Sequence, residues 1–252
     1  MHLVRAELLK VRSTRLWVGM LLGALGFTVL ISILLLWVMR SSSAPDAGVQ
    51  PIVTPDTFRA FVFIVEGSIP FALVLAATMA TTEFRYGTAA LTYLATPSRP
   101  RVVAGKSAAA AVVGFLIGVA SAAAGLVVAA IWLAAHGEDV PVVTSVLGAV
   151  GQVGLHAAYA ALLALAFGAL VRSQIVSILG LLGWLFILEP IATAIVPKLA
   201  KWAPFGGVEP LFGSGQTPTA PLFGWLGALG LAVVYVAVLS ALAIAAERSR
   251  DV

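Results

Sequence analysis

Residues 17 to 39 read WVGMLLGALGFTVLISILLLWVM, 23 residues without a charge and with a tryptophan near each end. A bilayer core of about 30 Å needs roughly 20 apolar residues in a helix rising about 1.5 Å per residue, so this run is long enough to cross. A cleaved signal sequence has an apolar core of only about 7 to 15 residues, which favours a retained span. Working outward, five more runs meet the same test, at 61–81, 108–135, 142–171, 174–196 and 222–246. The six spans take about three fifths of the 252 residues and leave no stretch long enough for a separate folded domain. The expected fold is all-α and integral to a membrane, with one transmembrane domain over residues 1–252.

Composition agrees. The chain is 61% apolar and 10% charged, with a mean hydropathy of +1.05. Globular chains carry about 25% charged residues, and one this poor in charge cannot cover a water-facing surface, which excludes a soluble enzyme. The absence of Cys excludes disulfides, thiolate metal sites and Cys nucleophiles, and the absence of Asn excludes N-glycosylation. Trp17, Trp37, Trp132, Trp202 and Trp225 lie near span ends, where indole prefers the interface; Trp184 alone does not.

Six spans put both termini on one side, and the basic residues say which. Eleven lie on the terminal side: Arg5, Lys10, Arg12, Arg15, Arg85, Arg99, Arg101, Lys106, Arg172, Arg248 and Arg250. Arg40, Arg59, Lys198 and Lys201 lie on the other. The bias predicts cytoplasmic termini and a cytoplasmic loop from 82 to 107.

Residues 1–16 place Val4, Leu8 and Val11 at helical spacing with Arg5 and Arg12 towards another side, as in an interfacial helix. The loop from 40 to 60, with three serines and three prolines, reads as solvated. Residues 197–221 carry five prolines among Trp202, Phe205, Leu211 and Phe212, too apolar for a free loop and too broken for a span, so they read as a re-entrant element. In the 82–107 loop a helix is expected to leave the membrane at Glu83, run through Phe84, Arg85, Tyr86, Leu91, Tyr93 and Leu94, and stop at Thr96-Pro97, with the chain re-entering after Lys106. Aromatic and aliphatic anchors between charges suit docking into another protein's groove; the alternative is a helix lying on anionic headgroups.

Several motif matches fail. Gly105-Lys106-Ser107 copies the end of a phosphate loop, but Pro100 stands where its first Gly belongs, so ATP binding by this chain is not expected. His2, His136 and His156 are too scattered for a metal site, and there is no Gly-x-Ser-x-Gly turn. No covalent chemistry, metal or nucleic-acid partner is expected.

Inside the membrane an ionised carboxylate costs about 2.5–3.5 kcal/mol even on lenient scales, so Glu66 and Glu189, each close to a proline (Pro70, Pro190), stand out. Each is either protonated or paired with Arg59, Lys198 or a freed backbone amide, or else lines the exit of a path or binds cationic cargo. Gln152, His156 and Tyr159 fall at i, i+4 and i+7 and share one face of the fourth span. They either join helices beside the small residues Gly148, Gly151 and Gly154 or touch a substrate.

Three stretches carry a family resemblance. The run from Ala6 to Trp17, with Glu7, Lys10, Arg12 and Arg15, resembles the short N-terminal amphipathic helix of ABC-2-type transporter permeases. Thr82-Glu83-Phe84-Arg85-Tyr86-Gly87-Thr88, followed by Leu94-Ala95-Thr96-Pro97-Ser98-Arg99 and ending at Lys106, is similar to that family's cytoplasmic loop between spans two and three. Glu189-Pro190, Pro197 and Lys201-Trp202-Ala203-Pro204-Phe205 are similar to the outer end of its fifth span. The resemblance implies an ABC-2 type exporter fold in a bacterial cell membrane. It implies a dimer with a second permease copy or a related permease, and two separate ATPase subunits that carry the ATP and Mg. It also implies that Glu83 to Thr88, with Leu91, Leu94, Thr96 and Pro97, forms the coupling helix. The expected function is export of a small amphiphile, drug, lipid or glycan by alternating access. The alternatives are a proton-coupled transporter using Glu66, Glu189 and His156, and a non-transporting membrane adaptor.

Overall fold

The computed structural model describes residues 2–41, 54–88, 92, 94, 98–140, 144–212 and 223–249. Among these every regular element is helical, and six helical stretches are long and apolar enough to cross a membrane. An amphipathic helix α1 (His2–Ser13) turns at Ser13–Arg15 into the first span, α2 (Leu16–Ser41). The second span is two helices, α3 (Pro55–Ile64) and α4 (Ser68–Arg85). Thr54 caps α3 reciprocally with Thr57, and Pro55 occupies the first helical position, where a missing N–H costs nothing. Pro70 likewise stands in the first turn of α4. The break between them at Val65–Gly67 lies against the first span, where a Cβ on Gly67 would meet Phe27 and Thr28 at 2.7 Å.

The third span, α5 (Arg99–Ala135), has 37 residues and runs about 55 Å, well beyond a 30 Å core. Its excess is the basic end from Arg99 to Lys106. The sequence reading put this end in a loop and started the span at 108; nothing between Pro100 and Lys106 interrupts a helix, since Pro100 falls in the first turn. The fourth span, α6 (Thr144–Val171), is the innermost and packs on α5, α4, α3 and α10 (Trp225–Ser249), the sixth span. Gly114 and Gly118 set the α5–α6 distance, because a Cβ at either would come within 2.8 Å of Ala157 or Val153 backbone oxygen. Of the three glycines expected at this contact only Gly154 makes it, against Phe115 and Val119; Gly148 and Gly151 face open space.

The fifth span begins as α7 (Gln174–Gly183), widens into a π-helical turn at Trp184–Leu188, and ends as α8 (Glu189–Ile195). Pro190 has no N–H to return to Phe186, and the Glu189 amide closes a wider ring on the Trp184 carbonyl. Short helical turns at Pro197–Trp202, Gly206–Val208 and α9 (Glu209–Phe212) then fold inward, burying Ala203, Phe205, Val208 and Phe212 against spans two, four and six. The first, fifth and sixth spans keep apolar faces such as Leu22, Leu30, Ile175, Leu179, Leu226 and Val233 exposed, as a lipid-facing surface requires.

Candidate functional site

Two groups of polar residues are built into this frame, one towards the loops opposite the termini and one at the terminal side. The first follows the face of α6 that the sequence picked out. Arg59 Nη2 donates to Gln152 Oε1 at 3.1 Å; one turn on, His156 Nδ1 lies 3.2 Å from Glu66 Oε2, and Tyr159 Oη donates to the Pro204 carbonyl at 2.8 Å. Glu66 sits in the break of the second span and also accepts from Ser68 Oγ at 3.1 Å. His156 stacks on Phe212 with centroids 4.6 Å apart, and its Nε2 is buried without a hydrogen-bond partner among the described residues. An acid, an imidazole and a helix break meet here, an arrangement able to hold or pass a proton.

Glu189 is the hub of the inward-folded segment. Its carboxylate accepts from Gly206 N at 2.6 Å, Phe205 N at 3.1 Å and Trp184 Nε1 at 2.9 Å, and it is 8% exposed. Irregular backbone survives at membrane depth only where it is buried in protein and satisfied. Here one carboxylate takes two amides, while the Tyr159 and Tyr235 hydroxyls supply the Pro204 and Trp202 carbonyls. Tyr159 is twelve residues before Val171, about 18 Å along the helix, so the segment reaches towards mid-membrane. Beside it lies a cavity of about 250 Å³, walled by Leu163, Phe167, Leu181, Trp184, Phe205 and Tyr235.

At the terminal side Glu83 joins three elements. Lys10 Nζ reaches one carboxylate oxygen at 2.7 Å and Lys106 Nζ the other at 2.7 Å; Lys10 also pairs with Glu7 at 2.6 Å. Glu7 and Lys106 are buried, so α1 is fastened to the second and third spans. Desolvation works against the Lys10 charge, but Glu7 and Glu83 outweigh it and hold its pKa above the ordinary value of 10.5. Arg85 donates to Gln174 Oε1 at 2.8 Å, tying the second span to the fifth. The Arg172 guanidinium lies 4.8 Å from the Phe84 ring centroid and donates to the Ala246 carbonyl at 3.5 Å. Arg12 and Arg15 stay exposed.

The expected helix from Glu83 to Leu94 does not form in one piece. Gly87, at φ 68°, stops α4 in a Schellman motif, with Thr88 N bonded to Glu83 O and Gly87 N to Phe84 O. Tyr86 is 68% and Leu94 79% exposed. Leu91, Tyr93, Thr96 and Pro97 lie outside the described residues.

Arg59, an anticipated partner for Glu66, pairs with Gln152 instead, and the amides that reach Glu189 come from 16 and 17 residues downstream. Sequence reasoning overlooked Lys106, Arg172 and Phe212 as site residues. Trp184 gave a legible signal, since a tryptophan away from the interface needs a partner for its indole N–H. Neither a protein-family model nor a curated protein matches this chain.

Proposed function

We propose that the chain is the membrane-spanning subunit of an ATP-driven exporter in a bacterial cell membrane. On this reading it works as a dimer with two cytoplasmic ATPase subunits, which carry the ATP and Mg, and moves a small amphiphile outward by alternating access. The observation that carries the reading is the bracing of Glu83. A push delivered at Tyr86 and Leu94 meets a carboxylate tied to α1 and α5, and an Arg85 tied to the fifth span, so it moves several helices together.

The test uses Leu94→Asp and Arg99→Ala, each co-expressed with a candidate partner ATPase that co-purifies with the wild-type chain. The docked reading expects Leu94→Asp to cut co-purification and coupled ATPase rate by orders of magnitude, because an unpaired charge enters a buried anchor. Arg99→Ala should cost less than about 1 kcal/mol. Wild-type coupling in Leu94→Asp removes the loop as the docking element. A reporter active only in the cytoplasm should work after Val252 and stay silent near Ala47.

A second reading is favoured by the Glu66–His156 pair. Proton-coupled transport would run through these two groups and Glu189. Transport abolished by an inactive partner ATPase and indifferent to uncouplers selects the first reading; the converse selects the second.

A further inference from the structure

The turn between α1 and the first span borders an open cavity of about 490 Å³ that neither polar group uses. Its wall is apolar: Leu8 and Val11 from α1, Trp17 from the first span, Leu116 and Ile117 from the third. The cavity opens sideways past Leu116, which is 58% exposed in the apolar band of the third span.

Among the described residues one charged side chain lines it, Arg12, and no acidic residue does. The charges of α1 are sorted by side. Lys10 points to the second span and is taken by Glu7 and Glu83, whereas Arg12 is exposed at the cavity and has no carboxylate partner among the described residues. Trp17 donates its indole N–H to the Arg12 carbonyl at 3.4 Å, which holds a ring of the kind that favours the headgroup level at the cavity mouth. Arg5 and Arg15 are exposed on the same short segment and add to the positive field.

We infer that this cavity binds an anionic phospholipid of the leaflet on the terminal side, with an acyl chain between α1 and the third span and the phosphate on Arg12. The guanidinium offers paired N–H donors to phosphate, and the surrounding cations disfavour a headgroup that brings its own positive charge. The site fastens α1, and with it Lys10 and Glu83, to the membrane surface.

The test measures quenching of Trp17 in the full chain in phosphatidylcholine vesicles doped with brominated phosphatidylglycerol or brominated phosphatidylcholine. The Trp17 signal is the difference between the wild type and Trp17→Phe. The anionic lipid should quench it with a roughly five-fold preference, and Arg12→Gln should bring the ratio close to one. Ala120→Leu, which fills the cavity wall from an accessible position, should weaken both lipids together. Equal quenching by the two lipids overturns the inference, as does a preference that survives Arg12→Gln. A Trp17 shielded from both lipids overturns it too, since a protein surface then covers the cavity.

Discussion

Glu83 and Glu189 are both enclosed carboxylates, and the molecule satisfies them by opposite means. Glu83, at the terminal edge, is matched by two lysines. Glu189, deeper in the bundle, meets no lysine or arginine among the described residues and is held by an indole and two backbone amides. The difference follows from depth. Near the edge a lysine keeps its stem in apolar surroundings and its head near water, whereas a lysine at Glu189 would itself cost several kcal/mol to place. Fixed N–H dipoles are already within the membrane and need a partner of their own. Glu66 stands between the two cases, with an imidazole and a hydroxyl.

This contrast can be broken by substitution. The largest effect is expected from Glu189→Ala, which strands the Phe205 and Gly206 amides and the Trp184 indole at about 1–3 kcal/mol each. Thermal unfolding in detergent should show a marked loss of stability, and Glu189→Gln, which keeps an acceptor oxygen, should recover much of it. If alanine and glutamine behave alike, the amide contacts contribute little and the contrast fails.

Glu83→Ala should cost about 3 kcal/mol, because Lys106 is left buried without its partner. The double variant Glu83→Ala with Lys106→Met should regain most of that in the same assay. A double variant no better than the single one shows that the packing of α1, rather than charge, holds this end together.

His156→Phe keeps the stacking on Phe212 and removes the contact to Glu66, so about 1 kcal/mol is expected. A much larger loss would place Glu66 with Glu83 as a carboxylate that depends on a charged partner.

Lys10→Ala should be the mildest, below about 1 kcal/mol and shrinking with salt, because its side chain is half exposed. The pH dependence has a definite sign. A lysine pKa raised by folding gives stability that is complete below the ordinary value of 10.5 and fades as pH climbs through the raised folded value. Unfolding followed from pH 9 upward should therefore lose a component in wild type that Lys10→Ala lacks.

Much of the terminal-side arrangement could be read from residue order. Basic residues cluster there, α1 shows its periodicity, and Gly87 followed by Thr88 is a helix stop legible in the sequence, although the anchors around it favoured reading one long helix. The Glu83–Lys10 pair spans 73 positions and depends on how α1 folds back, which no local pattern carries. For Glu189 the proline beside it signalled freed backbone groups, but the amides that arrive belong to another segment.

Apolar run length against bilayer thickness determined six helices long enough to cross, because a single segment of about 20 apolar residues satisfies its own backbone groups in lipid only as a helix. The i, i+4, i+7 spacing fixed the polar face of α6, because helix geometry is local. Tertiary packing alone decided where the second span breaks and where residues 197–212 fold. It also decided which donor meets Glu66 and which meets Glu189. Those outcomes depend on matching each buried polar group with a partner distant in sequence, and that match exists only once the helices have packed.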